Sequence, residues 1–369
     1  MAEPLKDMYT KTFLQNFGKL IRTAYPPFDT AGFIAGVMDE TWDSLELKAR
    51  IRRIAVQLGS FLPAAYEEAL PILFQIDGQC EGFPYLFFPD FVEVSGQGDE
   101  HWPLSMQALE RFTSKSSAEF AVRSFLLRDP ERMMKQMLEW AGHPDEHVRR
   151  LASEGCRPRL PWGQSLPVFK RDPAPIMPIL ERLKADPSLY VRKSVANNLN
   201  DIAKDHPELV LETAKRWIGN DPHTDWIVRH GCRTMIRKAN PEVLELFGYA
   251  DDGDGQSGLA EEAEITAVPS EIAIGGQGEL NYRIRIRPGA PAKVRVEYGI
   301  AFRKARGQVS TKLFLLSDKT VEGGAVLSGS RTHRWADLTT RKHYAGEHRI
   351  ALLLNGKEVA SSCVQLREE

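Results

Sequence analysis

Carboxylates and arginines recur together at helical spacing in the middle of this chain. Glu154 stands four residues after Arg150 and three before Arg157, so the three share one helix face. Further along, Lys193, Asn197, Asp201 and Lys204 line the polar face of another helix in the same way. Arg229, Arg233 and Arg237 then follow at four-residue steps as a basic stripe. Directly after Glu154, the run Gly155-Cys156-Arg157-Pro158-Arg159-Leu160-Pro161-Trp162-Gly163 ends its helix with two arginines and a tryptophan braced by two prolines. Arginine and tryptophan held rigidly at a surface suit a phosphate backbone and a sugar or base. Any one such helix face is ordinarily solvated surface held by i, i+4 ion pairs. Recurrence on neighbouring helices, with the Arg–Trp segment beside them, favours a binding surface.

The elements that must position these residues form a repeat. His143-Pro144-Asp145-Glu146-His147-Val148-Arg149-Arg150, Asp186-Pro187-Ser188-Leu189-Tyr190-Val191-Arg192-Lys193 and Asp221-Pro222-His223-Thr224-Asp225-Trp226-Ile227-Val228-Arg229-His230 each run from a proline turn into a helix. Their Val-Arg pairs begin at 148, 191 and 228, offsets of 43 and 37 residues, the spacing of two-helix solenoid repeats whose stacked helices build a concave surface. Val191, Val195, Leu199 and Ile202 make the inward face of one helix, and Val148, Ala152 and Gly155 that of the one before. Amphipathic runs at Leu45–Leu58, Met106–Phe112, Met133–Trp140, Ile176–Leu183 and Leu209–Trp217 extend the helical reading. The aromatic stretch Gly82–Phe91, with two prolines, reads as a loop packed between repeats.

Beyond residue 258 the period changes to two. Leu280, Tyr282, Ile284 and Ile286 alternate with polar residues, as do Val294, Val296, Tyr298 and Ile300, and Asn355-Gly356 marks a hairpin. About seven short strands in this span suggest an immunoglobulin-like sandwich without the inter-sheet disulfide. The expected organisation is a helical repeat domain over 1–248, an acidic linker over 249–262 and a β-sandwich over 263–369. Hydrophobic content of 42% and charged content of 27% exclude a disordered chain, and no apolar run is long enough to span a membrane. Lys6, Asp7, Lys11 and Lys19 interrupt any signal-peptide core, and four scattered cysteines fit a reducing cytoplasm. The net charge of −2 hides a segregation: residues 141–240 carry 17 Lys and Arg against 12 Asp and Glu, while 251–264 is purely acidic among its charges.

At this point the chain resembles a known family. The run Ser117-Ala118-Glu119-Phe120-Ala121-Val122-Arg123, the stretch from Val148 to Trp162, and Val191–Asp201 are similar to the AlkC branch of the HEAT-like-repeat alkylbase DNA glycosylases. The aromatic 83–91 segment and the helical-then-β plan fit as well. The resemblance implies a HEAT-like α-helical solenoid followed by an immunoglobulin-like β-sandwich. It further implies hydrolysis of the N-glycosidic bond of cationic methylated bases in DNA (3-methyladenine, 3-methylcytosine, 1-methyladenine) without base flipping. Such a base is already positive and leaves neutral, so no general acid is needed; carboxylates stabilise an oxocarbenium-like sugar and position water. Resemblance and helix register together assign this to Glu119, Glu154 and Asp201, with Glu154 orienting the water and Trp162 touching the sugar or backbone. Arg123, Arg149, Arg157, Arg159, Arg192, Lys193 and Asn197 are the expected phosphate contacts, with Arg229, Arg233 and the Arg303-Lys304-Ala305-Arg306 loop. Arg123 and Arg149 read equally well as structural ion-pair partners, and the 303–306 loop as a solvated hairpin tip.

The expected protein is thus a monomeric, monofunctional DNA glycosylase of the cytoplasm, acting on double-stranded DNA with no cofactor. No lysine presents itself as a Schiff-base nucleophile. The other reading is a non-enzymatic HEAT-repeat adaptor that binds DNA or protein. His143 and His147 have metal-like spacing but straddle a proline turn with no third ligand, so no metal is expected. Gly275-Gly276-Gln277-Gly278 reads as a strand-to-strand turn, since no helix follows it.

Overall fold

The computed structural model describes residues 4–249, 258–338 and 341–368. Asp251, Asp252 and Asp254 of the expected linker lie outside the described residues. Contacts sort the chain into two compact units. One is built on residues up to His206 together with Trp217–Gly231, the other on Pro207–Arg216 with the residues from Cys232 on. The short helices Arg233–Arg237 and Pro241–Leu246, expected within the helical domain, therefore share a unit with the strands. Lys293 donates to the Phe247 carbonyl at 2.8 Å, and Tyr249 Oη donates to Asp318 Oδ2 at 2.8 Å.

In the first unit the repeat signature acquires a mechanical meaning. Helices Glu146–Gly155 and Leu189–Ile202 are each capped by a side chain: Asp145 accepts from the His147 N–H at 2.7 Å, and Ser188 Oγ from that of Tyr190 at 3.2 Å. The arginine of each Val-Arg pair then reaches back to the proline turn. Arg149 Nη1 donates to the carbonyls of His143 (3.0 Å) and Pro144 (2.8 Å), and Arg192 Nη1 to those of Asp186 and Pro187, both at 2.8 Å. Arg149 also ties two repeats together through Asp186, at 2.7 Å.

The two helices interlock through polar contacts in an apolar seam. Val148, Leu151, Ala152, Val191, Val195 and Leu199 are buried, while Ser153 Oγ donates to Ser194 Oγ at 2.7 Å and Asn198 Nδ2 to the Ser153 carbonyl at 2.8 Å. Buried hydrogen bonds of this kind are costly to leave unmade, so they fix which residues face each other. Gly155 lets the first helix approach its neighbours: a Cβ there would fall 2.6 Å from Val122 Cγ2 and 2.9 Å from Met137 Cε.

Two sequence readings change. The aromatic stretch is not a loop throughout, since a 3-10 turn Phe83–Tyr85 leads into helix Phe87–Ser95. Pro89 falls in the first turn of that helix, where its missing N–H has no partner to lose. The basic stripe is broken: helix Pro222–Gly231 ends before Arg233, which opens the separate helix Arg233–Arg237.

The second unit holds β1 (Ala260–Val268), β2 (Glu271–Ala273), β3 (Gln277–Ile286), β4 (Ala292–Arg303), β5 (Val309–Val321), β6 (Val326–Arg334), β7 (Gly346–Leu354) and β8 (Lys357–Arg367). They form sheets ordered β1-β3-β6 and β2-β8-β7-β4-β5. The alternating residues point inward as expected, with Leu280, Ile284, Val294, Val296, Ile300, Ile350 and Leu352 buried around Trp335. Asn355 (φ 48°) and Gly356 (φ 80°) make the tight turn between β7 and β8. β1 starts inside the stretch expected as linker. Its acidic residues lie opposite arginines of β3, Glu262 pairing with Arg285 at 3.2 Å, so strand pairing extends further toward the N-terminus than the acidic composition suggested.

Candidate active site

The three carboxylates converge. Glu119, Glu154 and Asp201 come from three separate chain segments, and two arginines join them into one ladder of alternating charge. Arg150 pairs with Glu119 and approaches Glu154 at 3.6 Å. Arg157 donates to Glu154 Oε1 at 2.6 Å and to Asp201 Oδ2 at 2.9 Å, and Lys204 closes the far end on Asp201 Oδ1 at 2.9 Å. Ser117 Oγ donates to Glu119 Oε2 at 2.8 Å and accepts from Arg150 Nη1 at 2.9 Å. Glu154, Arg157 and Asp201 are buried, at 6%, 6% and 2% exposure. Burial works against the charge on Arg150, yet Glu119 and Glu154 hold its pKa above the ordinary arginine value. A ladder of this kind fixes carboxylates in a poorly hydrated place, where a positive charge is felt strongly.

Beside the ladder lies a cavity of about 350 Å³ whose walls include Phe83, Phe120, Trp162, Tyr190, Glu119 and Arg150. Of the three carboxylates Glu119 lines it, with Glu154 and Asp201 following behind through the arginines. Arg150 stacks on the Tyr190 ring with 5.0 Å to its centroid, and His147 meets the same ring edge-on at 5.5 Å. Trp162 is 63% exposed and sits at φ 61°, a left-handed conformation that costs a bulky residue about 1–2 kcal/mol.

Arg123 explains how the loop carrying Trp162 is held. It is 1% exposed; its Nη1 donates to the carbonyls of Gly155 (2.9 Å) and Arg157 (3.0 Å), and its Nε to that of Gln164. Burial pushes its pKa down to about 10. It ties down the carbonyl end of the Glu154 helix and both ends of the following loop, the structural role the sequence also allowed for it. Arg149 and Arg192 are likewise drawn into their proline turns, and Arg157 into the ladder. For Arg123 and Arg149 this is the structural reading the sequence also allowed; Arg157 and Arg192 join them because each meets carbonyls or carboxylates that no linear pattern reveals.

The remaining expected contacts are dispersed. Arg159 is partly exposed and pairs with Asp205 through both nitrogens, at 3.2 and 2.7 Å. Lys193 is exposed on helix Leu189–Ile202, with Asn197 half-buried on the same helix. Arg229 and Arg233 lie half-buried on different helices. Arg303, Lys304 and Arg306 are exposed at the turn joining β4 to β5, where the Lys304 N–H donates to the Gln308 carbonyl at 2.8 Å. His143 spends Nδ1 on the Asp145 N–H at 3.0 Å, and among the described residues no cluster of His, Cys, Asp and Glu is placed to hold a metal. No described helix is long and apolar enough to cross a membrane.

Sequence reasoning missed several residues here. Phe120 follows Glu119 directly in a quoted motif and was available to it. Tyr190 lay in the repeat signature, where it read as part of a helix start. Lys48, whose Nζ donates to the Trp162 carbonyl at 2.8 Å across 114 residues of chain, left no signal at all.

Comparison with known proteins gives this geometry a lineage. Residues 99–239 match the family described as DNA alkylation repair enzyme, and residues 261–368 match the C-terminal Ig-like domain of the uncharacterised protein YhaZ. The protein YhaZ of Bacillus subtilis (strain 168) is 45% identical over 353 residues, 96% of each chain. The Pseudomonas fluorescens alkylpurine DNA glycosylase AlkC, solved bound to DNA containing an abasic site analog, aligns at a TM-score of 0.92 with 38% identity, over 99% of this chain and 100% of that one. The likeness runs through both compact units in the same order, and this chain belongs to the AlkC branch of the DNA alkylation repair enzymes.

Proposed function

We propose that this protein is a monofunctional DNA glycosylase that hydrolyses the N-glycosidic bond of cationic methylated bases, 3-methyladenine, 3-methylcytosine and 1-methyladenine among them, and leaves an abasic site. The observation that carries the reading is the ladder Glu119–Arg150–Glu154–Arg157–Asp201, which brings Glu119 to the wall of an aromatic-lined cavity with Glu154 and Asp201 linked behind it. Its similarity to a glycosylase bound to DNA containing an abasic site analog supports the choice of substrate class.

In this mechanism the bond from C1′ to the base nitrogen breaks, its electron pair goes to the cationic base, and the base leaves neutral. Positive charge moves to the sugar, where the carboxylates stabilise it. Water then bonds to C1′ and passes a proton to a carboxylate. We assign the orientation of that water to Glu154, at the centre of the ladder, and contact with the sugar or backbone to Trp162. The lesion stays in the duplex rather than turning into a deep pocket. Arg159, Lys193, Asn197, Arg229 and Arg233 are the proposed phosphate contacts. We place catalysis in the helical region 1–248 of a cytoplasmic monomer and give 263–369 an accessory role on duplex DNA through Arg303, Lys304 and Arg306.

Glu154→Gln tests the reading, because it removes charge and keeps shape. It should keep the fold and the duplex affinity while losing most 3-methyladenine release, about a hundredfold or more for removal of one transition-state electrostatic contact. Unchanged release by the variant rejects the assignment. Salt-sensitive duplex binding by the native protein without release of any methylated base would make it an adaptor.

A further inference from the structure

We infer that Lys48 is a positioning residue for the reaction: it holds Trp162 and Phe120, the aromatic walls of the candidate site, in their working places. The inference rests on the glycosylase reading above. Trp162 is mostly exposed and sits in a backbone conformation that a tryptophan does not adopt unaided. Side-chain packing therefore does not settle where it stands; its backbone tethers must. Arg123 pins Gln164, two residues on. The tether on Trp162 itself is Lys48, whose Nζ donates to its carbonyl at 2.8 Å. The same ammonium lies 4.6 Å from the centroid of the Phe120 ring. One cation from the N-terminal part of the chain thus grips two aromatic residues that flank Glu119 and the cavity.

The placement of Lys48 makes little sense for stability alone. It sits in the first turn of helix Leu47–Phe61, where the helix dipole disfavours a cation. It is exposed along a second cavity of about 300 Å³ that shares Leu86, Ser117 and Phe120 with the first. The nearby carboxylates of helix Phe87–Ser95 are engaged elsewhere: Arg52 pairs with Asp90 at 3.0 Å and Glu93 at 2.6 Å. These carboxylates favour the charged ammonium without drawing it off Trp162. Desolvation against the cavity wall, the larger influence, still moves the Lys48 pKa below that of a free lysine. A cation kept in an unfavourable helix turn and set against one backbone carbonyl and one aromatic ring is the mark of a residue that matters for what it holds.

The test uses the full chain and the variant Lys48→Met, which keeps the aliphatic stem. Single-turnover release of 3-methyladenine from methylated duplex should fall tenfold to a hundredfold, as for a small misplacement near reacting atoms, with duplex affinity changed less than about threefold. Lys48→Arg should restore the rate to within about threefold, because it restores a cation and a donor. Combined with Trp162→Ala, the two losses should be far from additive, since both remove the same placement. Fluorotryptophan NMR, with the Trp162 signal assigned from Trp162→Phe, should show that resonance shifted or broadened in Lys48→Met. A normal rate, or losses that simply add, overturns the inference, as does an unmoved Trp162 signal. If the native protein releases no base at all, the glycosylase reading fails by itself, while the NMR signal still reports whether Lys48 places Trp162.

Discussion

Replacing Arg157 by methionine separates the two roles this residue can have. The structure puts it inside the molecule at 6% exposure, bonded to Glu154 Oε1 at 2.6 Å and Asp201 Oδ2 at 2.9 Å. Methionine conserves most of the stem's packing, so the charge is what disappears. Asp201, 2% exposed, then keeps Lys204, whose side chain is 40% exposed, and Glu154 keeps Arg150 at 3.6 Å. Removing one partner of a buried pair costs about 3–5 kcal/mol, and these residual cations offset part of it, leaving about 2–4 kcal/mol. For a unit of this size the loss lowers Tm by roughly 5–15 °C. Urea denaturation and thermal melting of the full chain, with duplex titrations beside them, provide the measurement. Adding Asp201→Asn should return a large part of the stability, because the stranded charge goes with it. A phosphate-binding arginine behaves otherwise: stability stays within about 0.5 kcal/mol and duplex affinity falls. That second pattern refutes the ladder.

Three further outcomes follow from the same geometry. Gly155→Ala drives a methyl into Val122 and Met137, so it should cost about 1–3 kcal/mol in denaturation and slow base release, because it shifts the helix that carries Glu154; a stable, fully active variant contradicts the close approach. Arg159→Ala should weaken duplex binding and lower the slope of log affinity against log salt by about one, leaving the fold intact; an unchanged slope removes its phosphate role. The β unit should be acid-sensitive. Burial pushes the His333 pKa from 6.5 down to about 4 and also lowers those of His343 and His348. The unfolded chain therefore binds protons that the folded one refuses as pH falls from 6.5 toward 4, and stability drops through that window. His333 alone contributes about 2–3 kcal/mol to the drop, and His333→Phe should flatten it. Hydrogen exchange of β4 and β6 that does not change between pH 7 and 4.5 contradicts this.

Much of the fold could be read from residue order because it is written in local periods. Apolar spacing of three and four located the helices, alternation located β3 and β4, and Asn355-Gly356 located a hairpin, since each depends on neighbours a few residues away. Errors came where local rules have exceptions. Pro89 argued for a loop yet sits in the first turn of a helix, which tolerates it, and the acidic run around Glu262 looked like linker until β3 supplied arginines opposite it.

The site divided in another way. Residue types and spacing, together with the family resemblance, picked out Glu119, Glu154 and Asp201 as carboxylates set among arginines, because helix register puts the two on a shared face, and the structure links all three through Arg150 and Arg157. Which arginines are engaged by the protein's own buried oxygens was decided by tertiary structure alone. Arg123, Arg149, Arg157 and Arg192 look the same in sequence as Arg159, since a guanidinium's task depends on which oxygens lie within reach. Those oxygens are carbonyls and carboxylates brought close only when the chain has folded, in the case of Lys48 and Trp162 from 114 residues away. Burial then sets the Glu154–Arg157–Asp201 contacts apart from ordinary surface ion pairs.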